Sequence, residues 1–173
     1  MKLHATIAGF LLVGLAGCSP EAQAPASSGL SAQDLNSLTA AYDLVQFDLS
    51  ECAQLPPTDI SPQTTMVSQK VCADATGYKT KIQALAVARG VTLPAEMSYN
   101  MRVRSVAMTY HPSPNVTGQY LRDAIESHQE ALLIFRDETT NGQDQEIMAF
   151  DATAIPIVQE NLNALQAAQT AAN

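Results

Sequence analysis

The chain has 173 residues, with nine Lys and Arg against seventeen Asp and Glu, a formal charge of −8. A surface of that sign is repelled by phosphate backbones and anionic lipid heads, which argues against nucleic-acid binding. Once the leader described next is set aside, roughly 140 residues remain beyond its linker, enough for one domain with a single core.

Lys2 and the apolar run Ile7 to Leu15, too short to span a bilayer, read as a secretion signal over residues 1–17. The run ends Leu15-Ala16-Gly17-Cys18, which resembles the lipobox of bacterial lipoproteins, where the signal is cut before the cysteine and that cysteine is acylated. The resemblance implies a lipidated Cys18, a membrane attachment through that lipid, and a place in the bacterial cell envelope. Ser19 resembles the residue following the cysteine in lipoproteins sent to the outer membrane, which implies a domain facing the periplasm. An ordinary cleavable signal with a chance cysteine is the plainer alternative. Without residues 1–17 the chain loses Lys2 and no acid, so 8 basic residues face 17 acidic ones and the charge becomes −9. Residues 18–30, rich in Pro, Ala and Ser, read as a flexible tether. The folded domain is expected over 31–170.

Ser31 can cap a first helix whose dipole suits Asp34, and Leu35, Leu38, Tyr42, Val45, Leu49 and Cys52 mark its inner face until Pro56 and Pro57 stop it. A second helix opens at Ser61 with Pro62 in its first turn, carries Val67, Val71, Tyr78, Ile82 and Leu85 inward, and ends at Gly90. Ala95 to Tyr110 predicts a weaker, shorter helix with a soft edge of Met97, Met101 and Met108 and a wet side at Arg102 and Arg104. The Met edge reads first as core filling, and otherwise as a surface for a protein partner. His111-Pro112-Ser113-Pro114 breaks the chain.

The helix from about Val116 to Thr140 has the clearest pattern: Leu121, Ile125, Leu132 and Phe135 recur at helical spacing, with His128 on the rung between. Its charges, from Arg122 and Asp123 to Arg136 and Asp137, fall mostly on the opposite side, so the acid-rich stretch 126–137 reads as a solvated face. Asn141-Gly142 closes it, both residues that tolerate left-handed backbone. The last helix, about Asp144 to Ala168, turns Ile147, Phe150, Ala154, Ile157, Asn161, Leu165 and Ala168 inward, with a bend expected at Pro156. No strand-like alternation occurs. The pattern predicts an all-α fold: an up-and-down four-helix bundle with a short extra helix, after a signal peptide and flexible tether.

Cys52 and Cys72 remain once Cys18 is acylated, and an exported pair favours a disulfide. Against it, ten residues of helix would carry Cys72 about 15 Å from the turn near Cys52, while a bridge needs alpha carbons within roughly 7 Å. The alternative is two buried thiols.

From Ser31 to Ala168 the chain resembles the ferritin-like bacterial envelope family catalogued as domain of unknown function 4142. The resemblance is carried by Tyr120, His128-Gln129-Glu130-Ala131-Leu132, Phe135, Glu138, Gly142, Asp144, Phe150, Ala152 and Pro156. Asp74, Leu85-Ala86 and Gly90-Val91-Thr92-Leu93-Pro94 add to it in the first half. It implies a ferritin-like bundle. The family pattern has Glu where this chain has Gln46, His at Ala75, Asp at Thr117 and His at Asn161. Of the inward groups that could form a metal site in relatives, His128 and Asp74 remain.

The chain has no Glu-x-x-His step, and no His-Glu-x-x-His, Gly-rich phosphate loop, Gly-x-Ser-x-Gly or Cys-x-x-Cys. A zinc site would require Asp74, His128 and a cysteine to converge. The more economical expectation is a polar layer of Gln46, Asp74, His128 and Asn161 across the bundle, with no catalytic residue and no cofactor. The first functional reading is therefore a non-enzymatic, lipid-anchored binding or structural module. The alternative is a ferritin-like metal-binding or oxidoreductive protein with a reduced site around His128.

Overall fold

Ser31 opens the first helix by accepting the amide of Asp34 at 3.1 Å, while Asp34 accepts the amide of Ser31 at 3.0 Å. This reciprocal box satisfies two of the orphan donors at a helix start. The computed structural model describes residues 29–55, 60–110 and 116–172, with the side chains of 108–110 set aside. Cys18, the tether up to residue 28 and His111 lie outside the described residues.

Five helices follow: α1 (Ala32–Gln54), α2 (Pro62–Ala88), α3 (Tyr99–Tyr110), α4 (Val116–Asn141) and α5 (Gln145–Ala172). Among the described residues no strand occurs, and the fold is all-α. Ser61 caps α2 through the amide of Thr64, with Pro62 in the first turn. Gly90 ends it at a φ of +64°, where the amides of Gly90 and Val91 return to the carbonyls of Val87 and Ala86. Those paired bonds form a Schellman motif, and the left-handed φ is why glycine stands there.

The four long helices pack in a ring, α1 beside α2 and α4, and α5 beside the same two. Cross-helix bonds fix the directions. Asp48 meets Ser127 and Gln33 meets Asp137; Tyr42 meets Gln83 and Cys52 meets Cys72; Asp74 meets Asn161 and Arg89 meets Glu146. Each residue number rises on one helix as it falls on its neighbour, so every neighbouring pair is antiparallel. The long helices thus run up, down, down, up, where the sequence reading expected simple alternation. A short turn joins α4 to α5, and α2 and α4 both point down. The connection from Arg89 to Val116 must therefore travel the length of the bundle, and the pattern of hydrophobic residues within single helices carries no sign of that.

α3 is the ordered part of this crossover. It lies parallel to α1: the amide of Ser98 donates to Asp43 at 2.7 Å, and Ser105 meets Ser50 at 2.6 Å seven residues further along both chains. It packs on α1 and α4 together. The core between the long helices includes Leu38, Phe47, Ile82, Leu121, Ile147 and Leu165, all buried. Phe150 stands edge-on to both Tyr78 and Phe135, with ring centres 5.8 and 6.0 Å away, a geometry that the ring quadrupoles favour. α5 runs through Pro156 as one helix.

Cys52 and Cys72 are bonded, with alpha carbons 6.0 Å apart. The spacing objection fails because α2 begins beyond the end of α1. Closing a loop of this size stabilises the folded chain by roughly 3 kcal/mol.

Candidate functional site

A helix in a bundle faces two neighbours and needs two inner seams. On α1 the seam toward α2 is apolar, but the seam toward α4 takes in Asp34, Ser37, Ala41, Leu44, Asp48 and Glu51, at steps of three and four. On α4 the answering residues are Tyr120, Asp123, Ser127, His128 and Glu138. Of the acids, Asp34, Glu51, Asp123 and Glu138 are buried, and so is Asp151 of α5. The interior is therefore rich in carboxyl groups, where the sequence reading expected one imidazole and neutral amides. Asp123 belongs to the face of α4 that was expected to be wet. The missed signal was the second spacing on α1, visible once a helix is asked for two seams.

The acids form two layers. In the first, toward the C-terminus of α1, Asp48 accepts the hydroxyl of Ser127 at 2.6 Å. One turn further on, Glu51 is 1 % exposed, and neither of its carboxyl oxygens has a hydrogen-bond partner. Burial raises Glu51 to about 8, with repulsion from Asp123 and Asp48 adding to the shift and Arg104 opposing it. Burial likewise raises Asp48 and Asp123, against hydrogen bonds from Ser127 and Gln119 respectively. The buried Tyr120 hydroxyl is also without a partner.

Arg104 belongs to this layer. Its guanidinium lies 4.7 Å from the centre of the Phe47 ring and bonds Glu130 of α4 at 3.0 Å. Arg104 was expected on the wet side of α3, yet it turns inward, because α3 covers the α1–α4 seam and its inner face meets carboxylates there.

The second layer lies where α1 begins and α4 ends. Burial would raise Asp34, but the amides of Asp144 and Gln143 and the Ser31 hydroxyl outweigh it and hold the carboxyl well below the usual range. Glu138 is 0 % exposed; burial, then the carboxyl groups of Asp34 and Asp151, push it up to about 7, against Gln33. Burial also lifts Asp151 to about 7, against a 3.0 Å hydrogen bond from Ser37. Gly142 serves this layer by size: a β-carbon there would collide with the carboxyl group and carbonyl of Glu138. Its φ is not left-handed, so the expected backbone reason for this glycine gives way to a steric one.

Of the four residues expected to share one polar layer, Asp74 and Asn161 do bond each other, while His128 and Gln46 stand apart from them. His128, 4 % exposed, points Nδ1 at the carbonyl of Ala124 at 2.9 Å, which places the proton on Nδ1. Asn161 instead joins Asp74 at 2.8 Å and Lys70 at 2.8 Å across the α2–α5 seam. Gln46 is half-buried, and its amide nitrogen has no partner. The reason is the ring order: α2 and α4 are not neighbours, so Asp74 and His128 find partners on different seams. Among the described residues, no three His, Cys, Asp or Glu side chains converge to hold a metal ion.

The family model for a domain of unknown function, DUF4142, matches residues 18–168. The chain belongs to the DUF4142 family. Among solved structures, a DUF305 fragment from Deinococcus radiodurans superposes on this DUF4142 chain with a TM-score of 0.71. It shares 10 % identity and covers 82 % of this chain and 97 % of that one, a likeness of fold alone. No curated protein matches the sequence. Within the described residues no helix of this DUF4142 domain is long and apolar enough to cross a membrane.

Proposed function

We propose that this DUF4142 chain is a lipid-anchored envelope protein, acylated at Cys18, that holds a ferritin-like helical domain in the periplasm as a binding or structural module. The observation that carries the reading is the order Leu15-Ala16-Gly17-Cys18 at the end of an apolar run, followed by a Pro, Ala and Ser tether and then the bundle. The single long crossover of the bundle is the connectivity found in ferritin-like folds, which supports that part of the proposal. A non-catalytic role is supported by the use made of the polar groups. The hydroxyl of Ser127, beside His128, donates to Asp48 at 2.6 Å and so is not set up as a nucleophile.

The anchor has a direct test. Expressed in a bacterial host, the parent chain should fractionate with membranes and carry an acyl mass on its first residue, and Cys18→Ala should appear in the soluble fraction. A Cys18→Ala chain that stays with the membrane would defeat the reading.

A further inference from the structure

Three buried oxygens in the first acid layer have no hydrogen-bond partner: both carboxyl oxygens of Glu51 and the hydroxyl of Tyr120. They come from facing helices. The bond between Asp48 and Ser127 sets the register of the α1–α4 pair. One turn beyond Asp48 lies Glu51, and one and two turns back from Ser127 lie Asp123 and Tyr120, so antiparallel packing brings Asp123 level with Glu51 and leaves Tyr120 one turn further on. Glu51 interacts electrostatically with Asp123 and with Asp48, and Tyr120 with Asp48 and Glu51. Buried polar atoms in folded proteins almost always have partners, and a group of three without any calls for one that the protein itself does not supply.

We propose that the junction of Glu51, Tyr120 and Asp123 binds a hard divalent cation of the Mn2+ or Mg2+ kind. Every donor there is oxygen, the set that suits such ions and not zinc or copper. Cys52 and Cys72 are tied to each other in a disulfide. Because no three acids or histidines converge, the ion takes Glu51, Tyr120 and one further carboxylate and completes its shell with water. Small divalent ions bind in this manner, with one or two carboxylates and several retained waters. Arg104 does not fill the place: its guanidinium is engaged by Glu130, Glu126 and the face of Phe47. The inference goes beyond the anchoring proposal and is independent of it.

Mn2+ itself is the probe. The purified chain, stripped with chelator and titrated with Mn2+, should bind one ion per chain, read by the loss of the free-ion electron paramagnetic resonance signal, and its melting temperature should rise with added Mn2+. Glu51→Gln, close in shape and neutral, should weaken binding at least tenfold and remove the thermal shift. Tyr120→Phe should weaken it several-fold, and Asp74→Asn on the opposite seam should leave it unchanged. Circular dichroism of each variant reports folding, and Tyr120→Phe carries the test if Glu51→Gln does not fold. Absence of stoichiometric binding would overturn the proposal. So would binding that folded Glu51→Gln and Tyr120→Phe leave intact, since the ion would then sit on exposed acids.

Discussion

The two polar seams of this bundle handle charge in opposite ways. Between α2 and α5, Asp74 has Lys70 and Asn161, and Asp144 has a two-pronged contact from Arg89 that holds its carboxyl below the usual range. Between α1 and α4, Glu51 and Glu138 are buried with no basic partner bonded to them, and both are pushed up toward neutrality. One seam uses charges as fasteners. The other stores carboxyl groups whose ionisation the fold resists, which is expensive for stability and so directs attention to that seam for function.

The largest effect should come from breaking the settled seam. Arg89→Ala leaves Asp144 without its cation beside the start of α5, where Asp144 also accepts the amides of Glu146 and Ile147. A loss of about 2–3 kcal/mol is expected, or roughly 5–10 °C in a thermal melt. An unchanged melting temperature would show that this seam is no better fastened than the other.

A smaller effect, and of a different kind, belongs to the α1–α4 seam. Glu138 faces Asp34 and Gln33 of α1 and Asp151 of α5, with no basic group among its interacting neighbours. Glu138 and Asp151 both titrate higher in the fold than in the unfolded chain, so between about pH 4 and 7 the folded state holds more protons. Their contribution is fully present below the unfolded values and is lost as pH rises through 7. Asp34 and Asp144, shifted downward, act in the opposite sense, and their contribution is lost as pH falls below about 4. The melting temperature should thus be higher at pH 5 than at pH 8 by about 3–5 °C, and Glu138→Gln with Asp151→Asn should reduce that difference. A chain more stable at pH 8 would contradict the description of this seam.

The smallest effect is expected at His128. Its hydrogen bond runs to a carbonyl of its own helix, and the residue is buried, so His128→Leu should change stability by less than about 1 kcal/mol in either direction. A loss of several kcal/mol in a chemical denaturation curve would mean that the imidazole is a structural keystone after all.

How much of this was legible in the sequence differs between elements for physical reasons. Helix ends are local: Ser31, Ser61-Pro62 and Gly90 act within one turn, and each does in the structure what its residue type predicts. The ring order is not local. No residue in α2 records whether α4 will lie beside it or across from it, and so the polar layer of Gln46, Asp74, His128 and Asn161 was assembled from helices that do not all adjoin. The acids were hidden for another reason. Asp34, Asp48 and Glu51 stand at inner spacing on α1, but charged residues are so seldom buried that the pattern reads as surface. Gly142 shows the limit on glycine: its sequence context suggested a left-handed cap, whereas the structure needs its lack of a side chain.

The claim that the α1–α4 seam holds carboxyl groups against their ionisation is tested most directly by carbon-13 nuclear magnetic resonance of labelled Asp and Glu through a pH titration, assigned with Glu138→Gln and Asp151→Asn. The account predicts that the carboxyl carbons of Glu138 and Asp151 titrate with midpoints of about 7. Midpoints near 4, the ordinary value for exposed carboxyl groups, would contradict it.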